Sequence, residues 1–302
     1  MSLLIFVSLF PLIALIAMGY VLKKKLFVEE SFWKGAEKVN YYIFFPAMLF
    51  LNLAFAEINV NAIHQIMLIV GIAFVIALSV LYLIKALNKT PSARFGVYVQ
   101  SILRFNTYIG LAVVASLFQQ KGMTLFAIIL VFCIPIVNIF SVLALTSTDQ
   151  MKPLNVVISL FKNPLIMGCI VGGLFNVSGL TLWVGFEGFL KQLALCSLPL
   201  GLMCVGAALQ FKGLSRDLFP ITLNTLARMF IMPSLAFALC YMFNIPKLET
   251  QIIVLFFALP TASSAYILTK VLGGDSRLMA SIISIQTVVA ALSLPIILYF
   301  IF

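Results

Sequence analysis

Apolar stretches of about 20 residues, the length that crosses the hydrocarbon core of a bilayer, follow one another from Ser2 to Phe302 with only short polar breaks between them. No segment is long or polar enough to fold as a separate soluble domain. Such a chain has to satisfy its backbone in lipid, and only helices or a closed barrel do that. The runs are too long and too continuously apolar for the alternating pattern of barrel strands. With 63% hydrophobic and 9% charged residues, the composition also lies far from that of a soluble globular protein.

The breaks divide the sequence into ten expected spans: 2–22, 34–56, 62–87, 93–118, 123–147, 154–178, 188–211, 219–243, 250–272 and 278–301. The first is followed, not preceded, by Lys23, Lys24 and Lys25. It reads as a membrane helix and not as a cleaved leader. The five cysteines lie within apolar stretches without metal-ligand spacing and read as small buried side chains, so no metal or cofactor is expected.

The net charge of +10 is expected from loops facing anionic lipid, and no nucleic-acid partner is implied. Loops after odd-numbered spans carry Lys23, Lys24, Lys25, Lys34, Lys38, Lys85, Lys89, Arg94, Lys152, Lys162, Lys212, Arg216, Lys270 and Arg277. Loops after even-numbered spans carry Lys121, Lys191 and Lys247. Fourteen against three puts the odd loops in the cytoplasm and both termini outside.

The prolines suggest a duplication. A spacing of 153 residues separates Pro11 from Pro164 and also Pro46 from Pro199, while Asn106-Thr107 and Pro260-Thr261 match at 154. Residues 1–147 then form one five-helix repeat, 148–153 a short connector and 154–302 a second repeat. Five is odd, so the second repeat enters the membrane from the opposite face, which is a transporter architecture.

In the fourth helix of each half a break is expected at membrane depth. Pro260, Thr261, Ser263 and Ser264 occupy one such position, and Arg104, Asn106, Thr107 and Tyr108 the other. Proline removes a helical hydrogen bond and serves well as the first residue of a following helix. Two half-helix N-termini meeting in mid-membrane would make an anion site. The alternative is a proline kink whose Ser and Thr bond back to their own helix.

Arg104 is a charge near the centre of its span with no carboxylate of comparable depth, which suits a carboxylate ligand. Bonding to backbone carbonyls at the break is the other possibility. Arg228 lies nearer a helix end and reads as a snorkelling or stapling residue. Asn52, Asn138 and Gln286 either line the cavity or bond a neighbouring helix, and Gly168-x-x-x-Gly172 reads as a close-packing face.

Around these motifs the chain resembles the auxin efflux carrier family, part of the bile acid and auxin transporter superfamily. The matching strings are Arg104-Phe105-Asn106-Thr107-Tyr108-Ile109-Gly110, Pro135-Ile136-Val137-Asn138, Asn163-Pro164-Leu165-Ile166, Leu259-Pro260-Thr261-Ala262-Ser263-Ser264 and Gly273-Gly274-Asp275. The resemblance implies an all-α fold of ten membrane helices in two inverted repeats, with helices four and nine broken and crossing at the substrate. It also implies a dimerising scaffold of helices one, two, six and seven, and a mobile transport domain that works as an elevator. The expected substrates are small organic anions, such as malonate and malate or an auxin-like aromatic acid. One departure is that plant carriers have proline at both crossings, whereas this chain has Phe105-Asn106 at the first. No catalytic constellation is present, so an enzyme is not expected; a channel or sensor for a small anion is the alternative.

Overall fold

The computed structural model describes residues 2–56, 60–145, 163–211 and 217–302, and among them it is helical throughout. Helix α1 (Ser2–Lys24) ends on Lys23 and Lys24, cations placed where the helix dipole favours them. Helix α2 (Glu30–Val39) runs through a single wide π turn at Asn40–Phe44 into α3 (Phe45–Ala54). Pro46 follows that turn; a proline lacks the N–H for the ladder and its ring presses on the carbonyl four residues earlier. A widened turn relieves both.

Helix α4 (Val60–Asn88) is unbroken. Helix α5 (Ser92–Leu103) stops at Arg104, whose backbone is extended (φ −73°, ψ 141°), and α6 (Thr107–Leu145) starts three residues later. The helix-four break thus forms without a proline. Inside α6, Gln119 has φ 52° and ψ −149°, a conformation that glycine adopts freely and other residues at a cost of about 1–3 kcal/mol. The spans expected at 93–118 and 123–147 therefore meet at a sharp corner on Gln119. Gln119→Gly is expected to raise stability by about 1 kcal/mol, read as a higher midpoint of thermal unfolding.

Helix α7 (Pro164–Ser178) is capped by Asn163, whose side chain accepts from the backbone N–H groups of Leu165 and Ile166 at 3.0 and 3.4 Å. It ends at left-handed Gly179. Helix α8 (Val184–Ala208) follows. Helix α9 (Leu218–Leu226), a second π turn (Ala227–Ile231) and α10 (Met232–Met242) form one bent rod, with Pro233 just after the wide turn. Helix α11 (Lys247–Ala258) ends before Leu259-Pro260, and α12 (Ser264–Val271) resumes the same path. Helix α13 (Ser276–Ile301) is capped by Asp275.

Among the described residues six stretches are long and apolar enough to cross a membrane: Val7–Lys24, Asn61–Asn88, Ser92–Leu145, Val184–Ala208, Leu218–Met242 and Ser276–Ile301. The expected span 250–272 is absent from these because it is divided at 259–263, and 34–56 because Lys34, Glu37, Lys38 and Asn40 make its first turns polar. The connector 148–153, the start of the span 154–178, and Lys152, Lys162, Lys212 and Arg216 lie outside the described residues.

Two tight pairs anchor the fold. Helix α1 packs on α8 and α3 packs on α7. A Cβ on Gly19 would overlap the Met203 backbone, and one on Gly206 would overlap the Ile16 carbonyl. Gly168 and Gly172 face the backbone of Pro46 and Phe50 in the same way, at 2.8 and 2.7 Å from the carbonyl oxygens. The Gly168-x-x-x-Gly172 stripe is thus a close-packing face, as small residues are in membrane helix pairs. Behind the two breaks lies an aromatic core in which Phe105 contacts Phe256, and Phe256 contacts Phe257 and Phe74.

Candidate functional site

The two breaks lie against each other. The backbone N–H of Asn106 donates to the Pro260 carbonyl at 2.7 Å, and the Thr261 hydroxyl donates to the Ser101 carbonyl at 2.9 Å. On the first half the new helix is capped from within: Asn106 Oδ1 accepts from the N–H groups of Tyr108 and Ile109, both at 3.1 Å. Asparagine is a strong cap because it fills these orphan donors, which explains how Phe105-Asn106 breaks a helix where a proline was the expected device. On the second half, α12 begins at Ser263-Ser264 without a side-chain cap.

Two adjoining cavities open at this meeting point. The larger, about 330 Å³, is lined by Asn106, Thr107, Tyr108, Ser263 and Ser264 on one side and by Lys34, Glu37, Lys38 and Tyr41 of α2 and its π turn on the other. The smaller, about 190 Å³, is lined by Arg104, Thr107, Asn138 and Ser264, with Tyr41 and Asn163. Thr107, Tyr41 and Ser264 belong to both.

Arg104 is held entirely by neutral groups. Its Nη2 donates to Asn138 Oδ1 at 2.6 Å, its Nε to Ser141 Oγ at 3.2 Å and its Nη1 to Ser264 Oγ at 3.4 Å. Among the described residues no carboxylate pairs with it. A guanidinium at membrane depth without a counter-charge is costly and marks a functional position. Its fork matches a carboxylate with two parallel bonds.

The remaining nominated residues sit elsewhere. Pro260, Thr261 and Gln286 are buried behind the cavities: Gln286 Oε1 accepts from the Thr261 backbone N–H at 2.9 Å and lies 2.7 Å from the Thr261 hydroxyl oxygen, whose one proton it shares with the Ser101 carbonyl. They hold the second break in shape without lining the space. Asn52 bonds back to the Met48 carbonyl at 2.8 Å on its own helix and lines neither cavity. Arg228 staples helices and does not snorkel: it is fully buried and bonds backbone carbonyls at the ends of α5 and α11. Asp275 caps α13 and pairs with Arg94, which also pairs with Asp217.

Sequence reasoning passed over Lys34, Glu37, Lys38 and Tyr41, because they precede the apolar part of their span. Their spacing of three, one and three residues would have revealed them, since it places all four on one helical face. That face is the wall opposite the breaks.

Residues 4–298 match the model of a family described as membrane transport protein. The chain is also 23% identical over 291 residues to a protein of Methanothermobacter thermautotrophicus described as an uncharacterized transporter, with 95% of each chain covered.

Proposed function

Since this chain belongs to the membrane transport protein family, that of the auxin efflux carriers, and is a membrane transporter, we propose that it moves a small organic anion, preferentially a dicarboxylate, bound at the meeting point of the two broken helices. The observation that carries this is Arg104, a guanidinium with neutral partners only, beside two half-helix N-termini. Each N-terminus amounts to about half a positive charge. With Arg104 the breaks hold about two positive charges, and Lys34, Lys38 and Glu37 on the opposite wall add a net third, so a dianion such as malonate is favoured. A monocarboxylate of the auxin type balances less of this charge and is the weaker candidate.

The ten-helix, two-repeat arrangement is part of the proposal. A 153-residue offset carries α1 onto α7 and α3 into α8, so the pair α1–α8 and the pair α7–α3 exchange under one operation. The two divided spans, broken after Leu103 and after Ala258, support the same duplication. In this frame α1, α2–α3, α7 and α8 form the fixed scaffold, which also offers the dimer contact. The breaks ride on the moving part, and the cavity opens toward the cytoplasmic side, where Lys34 and Lys38 stand. An elevator motion carries the anion past the wall of Lys34, Glu37, Lys38 and Tyr41, with both chain termini on the far side of the cytoplasmic membrane.

The direct test is uptake of radiolabelled malonate and malate by proteoliposomes of the purified protein, with indole-3-acetate alongside. Saturable malonate uptake is expected; a protein that binds malonate without moving it is a sensor instead. Glu37 sets a further expectation. Its carboxylate repels the anion by about 1–2 kcal/mol across the width of such a cavity. Glu37→Gln is therefore expected to lower the KM for malonate about fivefold, and Lys38→Gln to raise it, in the same uptake measurement.

A further inference from the structure

Among the described residues Arg228 is the largest side chain with no exposed surface. It projects from the second π turn, Ala227–Ile231, and such widened turns recur at functional positions. All three of its donor groups are used on backbone oxygens. Nε donates to the Leu259 carbonyl at 2.7 Å, Nη1 to the Ile102 carbonyl and Nη2 to the Phe256 carbonyl at 3.3 Å. Ile102 belongs to the last turn of α5, Phe256 to the last turn of α11, and Leu259 caps α11. One guanidinium therefore closes the C-terminal ends of both half-helices that precede the breaks. Among the described residues no carboxylate pairs with it.

The charges balance without one. A helix C-terminus carries about half a negative charge, so two of them meeting present about one, and the guanidinium supplies the opposite unit. In transporters with interrupted helices, unwound carbonyls and half-helix C-terminal ends are where a sodium ion is coordinated. Here six of those oxygens are already engaged. The Gln100 carbonyl accepts from the Arg104 N–H, the Ser101 carbonyl from the Thr261 hydroxyl and the Pro260 carbonyl from the Asn106 N–H. The Ile102, Phe256 and Leu259 carbonyls take Arg228.

We propose that Arg228 is a tethered cation: its guanidinium, capping the C-terminal ends of both half-helices, does the work an inorganic cation would do at such a crossing. The crossing is then held together without bound sodium. The negative helix ends are neutralised from the protein side, and the positive ends on the other side of the breaks are left to the transported anion. Arg228 touches no cavity and is a positioning residue. Only its effect on anion affinity rests on the function proposed above; its role as a built-in cation does not.

The test therefore begins without substrate. Thermal unfolding of the purified full-length protein in detergent is measured with sodium chloride against choline chloride at equal ionic strength. The midpoint is expected to agree within about 1 °C; a sodium-specific rise of several degrees overturns the proposal. Arg228→Ala is then expected to unfold at a markedly lower temperature and to recover part of the loss in millimolar guanidinium chloride, but not in sodium or choline chloride. A wild-type midpoint in Arg228→Ala, or an absence of recovery with guanidinium, counts against it. If Arg228→Ala does not fold, Arg228→Lys and Arg228→Gln separate charge from hydrogen bonding. The KM for malonate is expected to rise at least tenfold in Arg228→Gln and by less in Arg228→Lys, and the reverse order overturns the proposal. Absence of malonate transport in the wild type leaves the sodium and guanidinium measurements intact and refutes only the substrate assignment.

Discussion

Arg104→Gln is expected to reduce malonate uptake at least a hundredfold while leaving the unfolding temperature of the protein unchanged or slightly raised. Both halves of that expectation follow from how Arg104 is held. Its partners are two hydroxyls and an amide oxygen, each within reach of a glutamine or content with another neighbour, so the folded state loses little. It sheds an unpaired charge at membrane depth, which is itself unfavourable. The anion, by contrast, loses the one full counter-charge that the breaks themselves supply. Hydrogen bonds to charged groups contribute about 1.5–3 kcal/mol each, and a bidentate carboxylate makes two. That sum corresponds to about two to four powers of ten in affinity.

Arg104→Lys is the informative companion. A lysine keeps the charge but replaces the planar fork by a point donor on a flexible stem, so a loss of about tenfold is expected, between wild type and glutamine. The measurement is initial uptake rate against malonate concentration, with unfolding temperature recorded on the same preparations. Uptake by Arg104→Gln within threefold of wild type sinks the anion site at this position.

Much of this site was legible in the chain because membrane helices advertise their exceptions. A proline with three hydroxyl neighbours, or an arginine in mid-span, stands out where nearly every other residue is apolar. What the pattern could not reveal was which polar groups face the cavity and which serve the backbone. Thr261 and Ser263 are two residues apart, yet Thr261 is fully buried against Gln286 and Ser101 while Ser263 lines the space. No periodicity applies inside a break, because the chain there is neither helix nor strand. The same holds for Asn106, whose role as a cap depends on Arg104 leaving the helix first. Of the two readings of Arg228, snorkelling or stapling, the structure takes the second: its guanidinium joins the ends of α5 and α11. Sequence depth alone could not choose between them, because both readings put the residue in the same turn of its helix. The wall of Lys34, Glu37, Lys38 and Tyr41 was hidden because charges at the end of a span read as loop cations that set orientation and not as cavity lining.

Gly206→Val is expected to be the most damaging single substitution for folding. At the α1–α8 contact the obstacle to a side chain is main chain: a Cβ on Gly206 would overlap the Ile16 carbonyl and come within 2.9 Å of the Tyr20 nitrogen. A side chain in the way can change rotamer, whereas a helix backbone moves only as a whole. The two helices would have to separate along their length, and Gly19, which admits the Met203 backbone from the opposite side, would lose its contact as well. Overpacking a core that can adjust costs about 1–3 kcal/mol; here there is little adjustment, and the total stability of a domain is only about 5–15 kcal/mol. A fall in unfolding temperature of at least 10 °C, or loss of the monodisperse peak on size exclusion, is expected. Gly206→Ala already carries the offending Cβ and should show a large share of the effect. Gly168→Val, against the Pro46 backbone at 2.8 Å, should behave alike, since α3–α7 is built in the same way. Gly173→Ala and Gly188→Ala, with nothing within 4 Å of the added carbon, should leave both measurements unchanged. If Gly206→Val is as stable as these controls, the two helices do not meet backbone to backbone, and the paired scaffold on which the moving part is proposed to slide loses its foundation.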